Sequence, residues 1–466
     1  MINLLKNKFF VVFFGPFFLG AINVLSFPPY NLTFINFIVF SAILSFILII
    51  KEKTHSKYRK KKSQIYFFFL GCAFGFGFFL FGNYWISISL THDENFKNLI
   101  PIALILIPLF LSIFFGFVVL IVGPYAEKNI SFLLFFSLIF SVFEFCRGNI
   151  LTGFPWNLIS YSWSWSIEFI QILSLLGTYS FSLISVTIFC SPFIFFKKKI
   201  NKGSFIFLFI ILISIIGNYF YGLHKLKNTN YNLDEKIIVK VISPNFSLVN
   251  YNSQNETLQL KELIKISDPD KNKKTLFIWP EGVFYETFLQ DIKKYKSLFV
   301  ENFSDNHLII LGINNFSNPN DFKETKYFNS LAVLDHNLEI ISLYNKINLV
   351  PFGEFLPFEN FLSKFGFKKI TSGYNSFSPG KERKILSLGD KFDSKAILPL
   401  ICYEIIYSGK VKTKSQLPDL VINISEDAWF GNTIGPYQHF SKAIFRSVEE
   451  GVFIARSANK GISAFI

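Results

Sequence analysis

The apolar residues of this 466-residue chain are crowded into its first half. Up to about residue 222 nearly every window of roughly 20 residues is apolar, long enough to cross about 30 Å of hydrocarbon. Beyond that point the chain reads as ordinary globular sequence. This asymmetry excludes a wholly soluble enzyme, a disordered chain, and a collagen-like or disulfide-stapled scaffold. It predicts a multi-span α-helical membrane domain over residues 1–222, followed by an α/β domain over 223–466. Seven spans are expected, near 9–27, 31–50, 65–90, 98–122, 129–146, 167–196 and 203–221.

Charge gives the spans a direction. The formal net charge of +14 divides unevenly at residue 222: 16 Lys and Arg against 6 Asp and Glu before it, 30 against 26 after it. The basic residues of the first part gather in alternate short loops. Lys6 and Lys8 precede the first span; Lys51, Lys53, Lys57, Arg59, Lys60, Lys61 and Lys62 follow the second; Lys197, Lys198, Lys199 and Lys202 follow the sixth. Such clusters mark cytoplasmic loops rather than a nucleic-acid surface, so no nucleic-acid partner is expected. An N-terminus inside and seven crossings place residues after 222 outside the membrane. The segment from Phe154 to Trp165 then lies at the outer side, where an aromatic belt or the rim of a lipid-entry site is expected, with Glu144, Arg147 and Glu168 nearby as pairing charges.

The outer part alternates candidate strands (237–243, 275–279, 308–313, 330–334, 341–344, 397–402 and 421–425) with helices near 251–267, 286–304 and 436–451, and a hairpin turn at Asp335-His336-Asn337. Three runs present reactive side chains where apolar sequence stops: Trp279-Pro280-Glu281-Gly282, Lys346 within Tyr344–Glu354, and Cys402-Tyr403-Glu404 after Leu398–Ile401. Cys72, Cys146 and Cys190 fall in spans, which leaves Cys402 the lone thiol of the outer part and without a disulfide partner there. A thiol nucleophile needs a base and an oxyanion stabiliser; a Glu and a Lys can serve, and a Cys–His pair with His307, His336 or His439 is also possible. No His/Cys/Asp cluster has metal-ligand spacing and no Gly-rich phosphate loop is present, so neither metal nor cofactor is expected.

The ordered runs resemble the apolipoprotein N-acyltransferase family, membrane enzymes with a nitrilase-superfamily domain. The likeness starts at Leu25-Ser26-Phe27-Pro28-Pro29 and continues through Trp279-Pro280-Glu281, Lys346, Pro351-Phe352-Gly353-Glu354 and Cys402-Tyr403-Glu404. It extends to Asp427-Ala428-Trp429-Phe430-Gly431, Gln438-His439, Arg446, Glu449, Arg456, Asn459 and Gly461-Ile462-Ser463. It implies an α-β-β-α sandwich with Glu281 as general base, Lys346 as oxyanion-stabilising lysine and Cys402 as nucleophile. Glu354, Tyr403, Glu404 and Trp429 become supporting or pocket residues, with Glu404 more structural than chemical.

The resemblance further implies a phospholipid acyl donor, a diacylglyceryl-modified apolipoprotein acceptor, a bacterial inner-membrane location with the catalytic domain in the periplasm, and a monomer. Two departures stand out. Glu426 replaces the Asn usual before Asp427, and the family pattern continues beyond Ile466 with further strand sequence and an eighth span. A membrane-anchored amidase and an inactive truncated homologue are the competing expectations.

Overall fold

The computed structural model describes residues 7–54, 60–196, 201–229, 236–247, 256–317, 325–359, 364, 376–410 and 417–466. The basic runs at 55–59 and 197–200 lie outside these. Two compact units are formed: Met1–Ser87 with Asn98–Thr229, and Ile88–Lys97 with Asn230–Ile466.

Among the described residues six helices, lying in the first unit apart from residues 88–97, are long and apolar enough to span a membrane: Ile35–Thr54, Ser63–His92, Glu94–Tyr125, Ile130–Asn149, Leu173–Phe196 and Lys202–Asn228. The first expected span is a shorter apolar helical stretch, Phe10–Ser26. It packs backbone-to-backbone against a long neighbour. A Cβ on Gly20 would fall 2.0 Å from the Phe74 carbonyl oxygen, and one on Gly77 2.1 Å from that of Phe17. With no water to exclude between helices in lipid, such close approach is what small residues contribute. The span expected at 167–196 is broken: Ile167–Ile170 is a separate helical turn, and Gly177 (φ +75°) interrupts the longer helix.

The aromatic segment is mostly core. Trp156 and Trp163 are buried and only Trp165 is half exposed; Trp156 packs 4.7 Å from Trp85, centroid to centroid. The nearby charges fasten this segment. Buried Glu144 accepts from the Ile159 N–H at 2.9 Å and from the Ser182 hydroxyl, while Arg147 donates to the carbonyls of Phe154 and Trp156, each at 2.7 Å. Carbonyls buried in a non-helical stretch need such donors. The third charge, Glu168, accepts from the Ser166 hydroxyl at 2.6 Å.

The second unit is a sandwich of two sheets between helical layers. The first sheet holds β1 (Ile238–Val241), β2 (Thr275–Ile278), β4 (His307–Phe316), β5 (Tyr327–Asp335) and β6 (Ile340–Asn345) in that order, with β3 (Phe284–Phe288) also paired to β4. The second runs β11 (Ala464–Phe465), β10 (Ile454–Asn459), β9 (Leu420–Glu426), β8 (Ala396–Ile401) and β7 (Leu386–Ser387). Strands β1, β2 and β4 are parallel, as are β8, β9 and β10; β5 and β6 form the expected hairpin.

Strand alternation explains the layers. Leu276, Ile278, Leu308, Ile310, Leu331 and Val333 point into a core shared with Ile397, Ile401, Ile422 and Ile424 of the other sheet. Their neighbours Phe277, Ile309, Leu311, Ala332 and Leu334 point the other way, against helices α1 (Glu256–Ser267) and α2 (Lys296–Asn302). A period of two thus buries both faces of the first sheet. Helix α3 (Gly435–Glu450) lies by β10.

All seven expected strands form within a few residues of their predicted bounds. The helix expected at 286–304 instead begins as β3, then a 3₁₀ segment, then α2. Glu256 determines that change. Its Oε2 accepts the N–H groups of Tyr285, Glu286 and Thr287, and its Oε1 accepts the hydroxyls of Thr287 and Tyr295. These bonds fix β3 and occupy donors that a helix would turn inward. Glu256→Gln places an NH₂ against donors and is expected to cost about 2–3 kcal/mol of stability, read as a lowered midpoint of thermal unfolding.

Candidate active site

Three strand ends of the second unit carry the three residues expected to react. Glu281 follows β2 after Trp279 and Pro280; Gly312 on β4 makes room for it, since a Cβ there would lie 2.7 Å from the Glu281 Cα. Lys346 directly follows β6, its backbone N–H bonded to the Asn329 carbonyl at 2.9 Å. Cys402 directly follows β8 and opens a 3₁₀ turn with a left-handed backbone, φ +48°. A non-Gly residue there is uncommon and lifts the side chain out of the strand's alternation.

The charged groups converge. Lys346 Nζ is 3.0 Å from Glu354 Oε1 and 3.5 Å from Glu281 Oε1, and all three residues are buried. Asn329 Nδ2 donates to both of those carboxylate oxygens at 2.7 Å. Glu281 Oε2 accepts the Glu426 N–H at 3.1 Å, and Glu354 Oε2 accepts the Val350 N–H at 2.8 Å. Burial alone would lower the Lys346 ammonium, but Glu281 and Glu354 more than reverse it, so the amine stays charged. Burial pushes the Cys402 thiol up, Glu281 pushes it further, and Lys346 pulls it back; the net direction is up. The resting thiol is therefore protonated, and an attack by sulfur requires a base.

Glu404 is a separate hub of hydrogen bonds. Its Oε1 accepts from the Tyr344 hydroxyl, the N–H groups of Ile347 and Asn348, and Arg383; its Oε2 accepts from the Ile401 N–H. It thereby ties the Lys346 loop to the Cys402 turn. Tyr403 is buried and packs edge-on with Tyr407 at 5.5 Å. Half-buried Trp429 packs edge-on against His92 at 5.3 Å. The Glu426 carboxylate turns toward the Ala428 N–H and the Asn459 amide, and its backbone N–H donates to Glu281.

The histidines fall elsewhere. His307 bonds the Ser304 N–H and the Asp270 carbonyl, and His336 lies 3.2 Å from Asp305. His439 Nε2 faces the Cys402 carbonyl oxygen at 3.3 Å, and its Nδ1 is 2.9 Å from Asp427. His439 thus holds the backbone of the cysteine. Asn329 and Ser425 are the residues that sequence reasoning missed. The Ser425 hydroxyl donates to Asp427 at 2.6 Å and favours the ionised form of the Cys402 thiol, against the push of burial. An Asn within the apolar strand β5 was the one available signal for the first. Among the described residues no group of three His, Cys, Asp or Glu could hold a metal ion.

A membrane-helical domain joined to a two-sheet sandwich with these strand ends defines a multi-pass membrane protein of the nitrilase superfamily. Residues 19–191 match the apolipoprotein N-acyltransferase N-terminal domain and residues 241–466 match carbon-nitrogen hydrolase. An apolipoprotein N-acyltransferase of Bradyrhizobium diazoefficiens is 31% identical over 463 residues, covering 96% of this chain and 83% of that one. One of Rickettsia prowazekii is 34% identical over 407 residues, 85% and 78% of the two chains. An amidase structure from Nesterenkonia sp. matches 48% of this chain and 74% of its own at 13% identity, with a TM-score of 0.28. The chain belongs to the apolipoprotein N-acyltransferase family.

Proposed function

We propose that the chain moves an acyl group from a phospholipid, through a thioester on Cys402, to the N-terminal amine of a diacylglyceryl-modified lipoprotein. The observation that supports this reading is buried Lys346 held 3.5 Å from Glu281 Oε1, each just past the end of a strand, with Cys402 directly after the end of a third strand, β8. In the first half-reaction Cys402 sulfur bonds to the ester carbonyl carbon and its proton passes to Glu281. Lys346 faces the oxyanion; the ester C–O bond breaks, and the departing lysophospholipid oxygen takes the proton back. In the second, the acceptor amine bonds to the thioester carbon and yields a proton to Glu281. The C–S bond breaks, and the thiolate recovers that proton.

No cofactor is needed, because a thioester already carries the potential to form an amide. Substrates with long acyl chains favour a membrane enzyme, since each CH₂ withdrawn from hydrocarbon into water costs about 0.8 kcal/mol. With Phe10–Ser26 as the first crossing and the basic loops inside, seven crossings leave the sandwich on the periplasmic side of the inner membrane. A cysteine placed at exposed Leu417 should then react with an impermeant maleimide in intact spheroplasts, and one at exposed Lys128 only after permeabilisation. The reverse pattern would refute the orientation.

Incubation of the protein with acyl-labelled phosphatidylethanolamine should give a hydroxylamine-labile label on Cys402. A diacylglyceryl lipopeptide should discharge it as an amide, and Cys402→Ser should acquire none. Discharge to free fatty acid with the lipopeptide untouched would instead indicate a hydrolase. Absence of label on the wild-type protein would sink the thioester route.

A further inference from the structure

Asn329 sits in β5, beside the runs of apolar side chains that fill both cores, and is itself buried. Burying an amide costs about 1–3 kcal/mol unless its hydrogen bonds are made. Both hydrogens of its Nδ2 are directed at carboxylates, one to Glu281 Oε1 and one to Glu354 Oε1, each at 2.7 Å. That is short for N–H···O and marks charge-assisted bonds. The groups facing this amide are Glu281 from the end of β2, Glu354 from the loop after β6 and Lys346 from the end of β6. One ammonium thus serves two carboxylates.

Counting acceptor sites assigns the oxygens different tasks. Each carboxylate oxygen offers about two lone-pair positions. Oε1 of Glu281 is taken by Asn329 and faces Lys346 at 3.5 Å, whereas Oε2 has one bond, from the Glu426 N–H. We infer that Asn329 is a positioning residue: by tying Oε1 of Glu281 to Oε1 of Glu354, it leaves Oε2 of Glu281 as the oxygen that receives the Cys402 proton.

An amide suits this task because it supplies two donors and no charge. A cation at 329 would neutralise the base, and a third carboxylate would repel the other two. The inference rests on Glu281 acting as the base.

Its test uses the full-length protein in detergent and follows alkylation of Cys402 by iodoacetamide, which needs no lipid. Asn329→Ala should alkylate about tenfold more slowly than wild type across the range from about pH 6 to 8, less than the roughly 10²–10⁴-fold that a positioned base contributes, because Glu281 itself remains. Asn329→Asp should be slowed about 100-fold near pH 8, but only about tenfold near pH 5.5, where its own carboxyl is protonated and donates to one neighbour. Thermal unfolding of each variant separates damage to the fold from this effect.

Should the Asp variant fail to accumulate, Asn329→Ser decides, since its single hydroxyl hydrogen serves one carboxylate and should give a rate between Ala and wild type. Folded variants whose rates and pH profiles coincide with wild type would overturn the inference. A wild-type protein that alkylates with the expected variant pattern yet takes no acyl label would count against the acyl-transfer reading and leave Asn329 in place.

Discussion

Replacing Lys346 with Met should abolish thioester formation on Cys402 and destabilise the sandwich at once. Lys346 is the cation within 3.5 Å of both Glu281 and Glu354, and it is 1% exposed. Methionine matches its length but leaves two buried carboxylates with Asn329 alone between them. Removing one partner from a buried ion pair costs about 3–5 kcal/mol, because the remaining charge cannot reach water. The chemistry loses more than stability. Without Lys346 the Cys402 thiol loses the larger of the pulls that oppose the upward push of burial and Glu281, and the oxyanion loses its cation.

Loss of a single oxyanion donor costs about 10²–10³ in rate, and the thiol effect adds to it, so labelling by phospholipid should fall below detection. Lys346→Met combined with Glu354→Gln separates the two consequences. The second change removes one unpaired carboxylate, so thermal stability should recover in part while labelling stays absent. Recovery of labelling in the double variant would mean that Lys346 serves only to neutralise Glu354.

What could be read from the chain beforehand follows from how local each signal is. Spans and strands announce themselves by runs: Leu276–Ile278 and Leu398–Ile401 are apolar through and through, as a strand buried on both faces must be. Cys402 could be singled out because it had no partner within its domain. Strand β10 was missed because Arg456, Ser457 and Asn459 interrupt its apolar pattern, yet all six of its residues are buried. Its polar side chains are satisfied by partners far away in sequence, Asp427 for Arg456 and Glu426 for Asn459.

Strand β3 was read as helix because the Glu256 carboxylate that fixes it lies about thirty residues upstream. Asn329 escaped for the same reason: an amide between two carboxylates is invisible until β2, β5 and the loop after β6 are brought together. The aromatic segment at 154–165 was legible in composition but not in burial. Trp156 is buried with its carbonyl satisfied by Arg147, and the buried Trp163 indole donates to Ser185 Oγ.

The buried group behind the cysteine gives the second large effect, and here pH is the lever. Asp427 accepts from Arg456 Nη2 at 2.8 Å and Ser425 Oγ at 2.6 Å and lies 2.9 Å from His439 Nδ1; all but His439 are fully buried and it is nearly so. Burial alone would raise its carboxyl, but Arg456 first and His439 second hold it well below the ordinary carboxylate range. A carboxyl lowered on folding stabilises the native state fully above its unfolded value, about pH 4, and that contribution is lost as pH falls from there toward the folded value.

Asp427→Asn removes the charge at every pH. Arg456 is then buried without a counterion, at a cost of about 3–5 kcal/mol near neutrality. The expected result is a large drop in thermal midpoint near pH 7 that narrows as the wild type itself weakens below about pH 4. Because His439 grips the Cys402 carbonyl through its other nitrogen, the variant should also slow Cys402 labelling in whatever fraction remains folded. Equal midpoints for the two proteins near pH 7 would show that Arg456 finds another anion, and parallel curves down to about pH 2 would show that Asp427 is not the carboxylate whose protonation weakens the fold in acid.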